Sequence, residues 1–325
     1  MGTTDVGTFT VYSAIGNRED LSNVIYRIDP TEVPFLSGIE REKSSAVKHE
    51  WQTQALDAAT STNAAQEGAD ADTDTATPTV RLFNFTQISD KVARVSGTQR
   101  AVKTAGRDDE LDYQALLKGL ALKRDMETIL LTNQAQSTGL YDSLGSVSNA
   151  RKLGSILAWI YTNQTLNTAS VGATAPNGAT IRIDASPQSC KAFTEASLKT
   201  VLQSIWTNGG KPDVIMTGGY NKQQFSLFTG RATQMEDTGT KKIIATVDAY
   251  ESDFGKLKVV ANRFQRTRDV LVLQMDMWAM ATLRNMAEVD LAKTGDSDRR
   301  QIITEYTLAA RNEKSSGGVF DVTSQ

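Results

Sequence analysis

The chain has 325 residues, a formal net charge of −3 and 22% charged residues, ordinary values for a soluble globular protein. A near-neutral balance with a pI near 5.4 argues against a dedicated nucleic-acid binder, which would carry a basic stripe. A single cysteine, Cys190, excludes an internal disulfide and fits synthesis in a reducing compartment. The length exceeds the ~250–300 residues at which single cores tend to split, so two subdomains with extensions are expected. Residues 1–20 hold Asp5, Arg18, Glu19 and Asp20 and no signal-peptide run. No stretch approaches the ~18–20 apolar residues of a membrane span. The expectation is a soluble, cytoplasmically made product.

Residues 1–13 are rich in Gly and Thr and read as an arm. Leu21, Val24, Ile25 and Ile28 recur at helical spacing, which predicts a short helix ended by Pro30. Pro30 and Pro34 push their predecessors towards extended backbone. An extended arm carrying Val33, Phe35, Leu36 and Ile39 needs a surface to bury them: its own domain, as a lid, or a neighbouring chain.

Val47, His49, Trp51 and Thr53 alternate with Lys48, Glu50, Gln52 and Gln54, the period of a strand. Val80–Phe85, with Leu82, Phe83 and Phe85, is a second strand candidate. Between them, residues 57–78 contain no hydrophobe larger than alanine and carry Glu67, Asp70, Asp72 and Asp74. Such a segment cannot bury enough apolar surface to offset its ordering entropy, and long structureless loops are usually functional. The reading is a long hairpin with a polar, acidic tip. A lone hairpin is marginal in water, so Trp51, Phe83 and Phe85 require a surface from their own body or a neighbour. Replacing Trp51 with Ala is expected to weaken assembly more than subunit folding.

A strand at 88–96 precedes a long helix, roughly 109–134 and about 40 Å long at ~1.5 Å per residue. Asp108 is placed to cap it, with Asp109, Glu110 and Asp112 at the positive end of its dipole. It has two apolar stripes. One is Leu111, Ala115, Leu122, Met126 and Ile129; the other is Tyr113, Leu116, Leu117, Leu120 and Leu131. Two stripes imply packing on two sides. Residues 140–180 are looser, around the apolar run 156–160. Thr194 caps a helix whose buried face is Leu198, Val201, Leu202 and Ile205, with Phe193 as a staple, and Asn208-Gly209-Gly210 stops it. Val214–Met216 is a buried strand, turning at Gly218-Gly219 into a helix with Phe225. Strands follow at 243–250, 257–261 and 270–273. Then come a connector holding Trp278 and a hairpin of 289–293 with 301–310. Residues 312–325 read as a frayed or draped tail.

Chemistry is scarce. His49 is the only histidine, so a Ser-His-Asp or Cys-His site would have to use it. Cys190, about 140 positions away, reads as inert. Metal sites rich in His and Cys are excluded by counting. Asp70, Asp72 and Asp74 fail the calcium-loop pattern, whose sixth position falls on Thr75 and twelfth on Arg81. Gly218-Gly219 reads as a tight strand–helix turn; no phosphate-loop motif is present. Arg263, Arg266 and Arg268 span a turn: a solvated loop, a surface towards DNA, or charge partners for an acidic neighbour such as the hairpin tip. No catalytic, metal or cofactor site is expected.

The order of parts resembles the major capsid proteins of tailed bacteriophages of the Hong Kong 97 type. The segment from Ile28-Asp29-Pro30-Thr31 to Val33-Pro34-Phe35-Leu36 is similar to the Pro-rich arm of a capsid subgroup. So are 118–127 in the long helix and Ala150-Arg151-Lys152-Leu153-Gly154. The likeness spans nearly the whole chain. It implies an α+β fold divided into an N-arm (1–45), an E-loop hairpin (46–86), a P domain with the spine helix (87–138), an A domain (139–284) and a returning P-domain hairpin with tail (285–325). It further implies pentamers and hexamers of an icosahedral shell around double-stranded DNA, no enzymatic activity and assembly in the host cytoplasm. Its partners are itself, a portal, a separate scaffolding protein and, in some relatives, a decoration protein. On this reading three sets of residues meet neighbours. They are Trp51, Phe83, Phe85 and the acids of the hairpin; Val33, Phe35 and Leu36 of the arm; and Tyr113, Leu117 and Leu120 of the spine. The Lys–Asn cross-link of some members cannot be matched here. An encapsulin-like cargo compartment and a soluble α/β enzyme without a recognisable motif are the alternatives.

Overall fold

The computed structural model describes residues 28–68, 70, 76–141, 147–166, 170–228 and 249–323. In chain order the elements are α1 (Pro34–Gly38), β1 (Glu40–Lys43), the hairpin strands β2 (Lys48–Thr53) and β3 (Val80–Phe85), then β4 (Gln87–Ser96), α2 (Gly97–Ala101) and α3 (Glu110–Leu131). Next come β5 (Leu140–Tyr141), β6 (Val147–Asn149), β7 (Gln164–Thr165), α4 (Glu195–Thr207), β8 (Val214–Thr217) and α5 (Gly219–Ser226). The chain ends with β9 (Ala249–Ser252), β10 (Gly255–Ala261), β11 (Asp269–Leu273), β12 (Trp278–Leu291), β13 (Ser297–Ala310) and β14 (Gly317–Phe320).

Two sheets carry the subunit. The first has the order β1-β12-β13-β4, with β1 parallel to β12 and the rest antiparallel. Helix α3 lies on one face of it. Its Leu111, Ala115 and Leu122 meet Ala93 and Val95 of β4 and Ile302 of β13. The second sheet has the order β7-β14-β11-β8-β10-β9. One face packs on α4 and α5, where Leu198, Val201, Leu202, Ile205 and Phe225 meet Ile215, Val259, Val270 and Val272. Its other face joins the main core, where Met216, Leu271, Leu273 and Phe320 meet Trp159, Trp278, Leu130 and Tyr306. That core locks the two sheets together.

Local chemistry explains most boundaries. Asp109, not Asp108, caps α3, accepting from the Leu111 amide at 2.7 Å, and the helix closes at Leu131. At 22 residues it is about 33 Å long, shorter than the pattern suggests. Thr194 caps α4 through the Ser197 amide, and Gly209 supplies a positive φ after its end.

Three expectations are corrected. The arm is not extended at residues 34–38: Pro34 sits in the first turn of α1, where its fixed φ suits a helix. Phe35 (0%), Leu36 (5%) and Ile39 (5%) are buried in the subunit's own core, so the lid alternative describes them. Trp278 is no connector but opens the 14-residue strand β12. Two register shifts between Thr282 and Ala287 break the alternation that would reveal it. Residues 317–320 are not frayed. They form β14 inside the second sheet, antiparallel to β11, because Gly317 and Gly318 let backbone approach where a Cβ would clash. The helix placed around Leu21–Ile28 and most of the strand placed at 243–250 lie outside the described residues.

Candidate assembly surfaces

The hairpin is split into two unlike faces by its pleat. In the β2/β3 register Trp51 stands opposite Leu82 and His49 opposite Asn84, while Glu50 stands opposite Phe83 and Lys48 opposite Phe85. The first set turns towards the subunit. Trp51 packs on Trp159 with ring centroids 5.2 Å apart, and Trp51 and Leu82 both lie against the main core. The second set turns away. Phe83 and Phe85 meet edge to face at 5.5 Å, Lys48 sits 4.0 Å above the Phe83 ring, and both phenylalanines are half-buried. Trp51 therefore differs from Phe83 and Phe85, although the sequence groups all three: its ring is engaged by its own body.

The root of the hairpin is clamped. The Asn84 amide donates to the Leu308 carbonyl at 2.7 Å and accepts from the Gly154 amide at 2.8 Å. Glu305 on β13 accepts from Thr86 at 2.8 Å and pairs with Arg284 at 2.9 Å and with Arg151. Buried, satisfied polar groups of this kind fix geometry, so the hairpin leaves the body at a set angle. Beyond residue 53 the loop is exposed, including Glu67 and Asp70; Asp72 and Asp74 lie outside the described residues.

The spine's two stripes separate over most of its length, but Leu131, placed on the second stripe, is buried in the main core and Ile129, placed on the first, is only partly buried. Leu111, Ala115, Leu122 and Met126 are buried, whereas Tyr113, Leu117 and Leu120 are half-exposed and Leu116 is 58% exposed. Asp29 and Thr31 of the arm lie beside this second stripe, framing a groove of about 230 Å³ with Leu117, Leu120, Lys118 and Arg124. Val33 is half-buried against the main core.

One carboxylate joins α1, α3 and the loop after β10. Glu127, fully buried on α3, accepts from the Phe35 amide at 2.9 Å, the Leu36 amide at 2.7 Å and the Asn262 side chain at 2.6 Å. Burial pushes its carboxyl above the usual range, against the pull of those three donors.

The three arginines do not form one outward cluster. Arg266 pairs with Asp184 at 2.5 Å and Asp269 at 3.3 Å, and Arg268 pairs with Asp321 at 2.8 Å. These ion pairs stay within the subunit, so Arg266 and Arg268 are not free partners for a neighbour's acids; Arg263 alone of the three is exposed. Sequence reasoning missed the rest of this network. Arg182 is 1% exposed between the exposed Ile181 and Ile183, an inversion of the usual alternation. Its guanidinium lies 3.4 Å from the Phe320 ring centroid, and burial pushes its pKa down to about 10. Burial likewise raises Asp269 to about 6. Asp321 holds φ 57°, a left-handed conformation open to aspartate, while its carboxylate accepts from the Ala185 amide at 3.2 Å.

Among the described residues no group of three His, Cys, Asp or Glu side chains could hold a metal ion, and no helix is long and apolar enough to cross a membrane. His49 lies 3.4 Å from Glu42, and Cys190 accepts from Arg268 at 3.1 Å.

The same overall fold is found in solved phage capsids. The chain superposes on a subunit of the cyanophage A-1(L) capsid with a TM-score of 0.65 at 14% identity, covering 99% of this chain and 100% of that one. For the capsid of a native GTA particle the TM-score is 0.60 at 9% identity, covering 96% and 97%. For Mycobacterium phage Cain it is 0.59 at 9% identity, covering 97% and 98%. The fold is thus the α+β, Hong Kong 97-type fold of phage capsid proteins. The SU10 major capsid protein family matches residues 3–323. The chain is also 30% identical over 341 aligned residues to the major capsid protein of Escherichia phage Phieco32, with 96% of each covered. The chain belongs to the SU10 major capsid protein family and is a structural component of a phage virion, many copies of which build the head shell.

Proposed function

We propose that this subunit assembles into pentamers and hexamers of a closed icosahedral shell around double-stranded DNA, in the host cytoplasm, and catalyses no reaction. The observation that carries the reading is the hairpin: its inward face is tied to the subunit, and its outward face leaves Phe83, Phe85 and the aliphatic stem of Lys48 for another surface. In a shell that surface is a neighbouring copy. Apolar burial contributes roughly 25 cal/mol per Å² before association costs, and contacts repeated around a closed shell add up to a persistent particle.

The half-exposed stripe Tyr113, Leu117 and Leu120 is the second contact, covered by the arm or by an adjacent subunit. The acidic tip with Glu67 and Asp70 meets cations of a neighbour. The N-arm, E-loop, P-domain and A-domain divisions at 1–45, 46–86, 87–138 and 139–284 describe how the subunit meets its neighbours, with 317–320 serving the A-domain sheet. A portal, a scaffolding protein and a decoration protein are the implied partners. An encapsulin-like compartment is not favoured, because the matched relative is a phage head protein.

Negative-stain electron microscopy with size-exclusion chromatography tests the proposal. Uniform closed particles, or rings of five or six subunits, are expected. A chain that stays monomeric with a scaffolding partner and across pH and salt would overturn it.

A further inference from the structure

Three segments of the chain meet in one ion cluster at the end of β14. Asp269 opens β11 and stands opposite Phe320 in the β11/β14 register. Its side chain is 1% exposed, and neither carboxylate oxygen receives a hydrogen bond from another described residue. The Arg266 Nε approaches one of them at 3.3 Å. The charged groups that face Asp269 are Arg266 from the turn before β11, Arg182 and Asp184 from segment 181–191, and Asp321 from the end of β14. Arg268 completes the set through Asp321 at 2.8 Å. With every group ionised, the three arginines balance the three aspartates.

The cluster fastens the C-terminal segment. Asp321 is fully buried, and its backbone carbonyl accepts from the Lys191 amide at 3.2 Å. The Val322 amide donates to the Arg268 carbonyl at 3.0 Å, and the Thr323 amide to the Lys191 carbonyl at 2.8 Å. Arg182 donates to the Gln164 side chain at 2.8 Å and to the Ile160 carbonyl at 3.1 Å while its guanidinium lies on Phe320. That inward course leaves Ile181 and Ile183 exposed on either side. Peeling residues 319–323 from β11 opens the cluster to water, so the charge of Asp269 and the seating of β14 are linked. The sign follows from burial. A carboxylate without hydrogen-bond donors is disfavoured out of water, and burial raises Asp269 from 3.8 to about 6 against the pull of Arg266 and Arg182. A group raised in the folded state contributes stability that is fully present below its ordinary value and is lost as pH rises through the folded one.

We propose that residues 317–323 are a proton-linked clasp: β14 is seated most firmly while Asp269 carries a proton, and it opens more readily once that carboxyl ionises. The clasp works within one chain and does not depend on the shell reading above. Its opening frees Arg182 from Phe320, and with it the fixed course of residues 181–183. One protonation event therefore governs both the edge of the second sheet and the surface that bears Ile181 and Ile183.

Hydrogen exchange of the full-length, unassembled subunit tests it, read by mass spectrometry on peptides covering 317–323 and corrected for the intrinsic pH dependence of exchange. Protection of β14 should fall about tenfold between about pH 5 and about pH 7.5, the ratio set by a carboxyl at about 6 when closed and 3.8 when open. Asp269→Asn keeps the volume and the uncharged state, and should hold high protection at both pH values. Glu127 shifts in the same direction but lies on α3, so a Glu127→Gln chain should retain the β14 effect. Independently, NMR of the subunit with isotope-labelled aspartate carboxyls should show one that titrates near 6 and is missing from Asp269→Asn. Protection of β14 that is flat or rises with pH, a fall that persists in Asp269→Asn, or no aspartate titrating near 6 would overturn the clasp. The wild-type profile and titration decide the matter even where Asp269→Asn does not fold.

Discussion

Removing the Glu127 carboxylate should loosen the joint between arm, spine and second sheet. In the Glu127→Ala variant the Phe35 and Leu36 amides and the Asn262 side chain, all buried, lose their acceptor. Each buried donor left unsatisfied costs about 1–3 kcal/mol. Allowing for partial relaxation and an entering water, the loss is about 3–6 kcal/mol, much of a typical domain's 5–15 kcal/mol. Glu127→Gln keeps the volume and one acceptor oxygen and should cost about 1–3 kcal/mol. The pH dependence separates the two effects. Burial holds the folded carboxyl above its ordinary value of 4.5, so its contribution to stability is fully present below that value and is lost as pH rises through the folded one. Glu127→Gln should flatten this part of the profile. Equilibrium denaturation of the unassembled subunit across mildly acidic to neutral pH is the assay. A Glu127→Ala variant within about 1 kcal/mol of wild type, with an unchanged pH profile, would refute the reasoning.

Other substitutions divide folding from assembly. Trp51→Ala should destabilise the subunit by about 2–3 kcal/mol, less than for a fully buried tryptophan, because the ring is only half-buried against Trp159; chemical denaturation measures it. Phe83→Ala with Phe85→Ala should leave subunit stability within about 1 kcal/mol yet reduce particle yield by sedimentation, since these rings face away from the body. Truncation after Arg311 should open the second sheet to limited proteolysis, because it removes β14 from beside β11; a protease-resistant truncated chain would show that the strand is dispensable.

The hairpin, the spine with its two stripes and the α4 helix were legible in the residues, because each is set by local rules: a period of two, a period near 3.6, a capping side chain. So was the acidic, core-poor loop, since composition alone decides whether a segment can pay for its ordering entropy. The destination of each face was not legible. Period two puts Trp51 and Phe83 on opposite sides but does not say which side meets the body; the β2/β3 register and Trp159, more than 100 positions later, decide that. Phe35 and Leu36 looked like arm contacts until Glu127, itself held by the Asn262 side chain, was brought to their amides. Arg266 and Arg268 looked solvated until Asp184, Asp269 and Asp321 converged on them. Residues 317–320 looked like a tail because two glycines and short length carry no strand pattern, yet a partner strand on each side makes them central. Short-range periodicity and caps are written along the chain, whereas burial and charge pairing depend on which distant segments the two sheets bring together, and only the tertiary structure decides that.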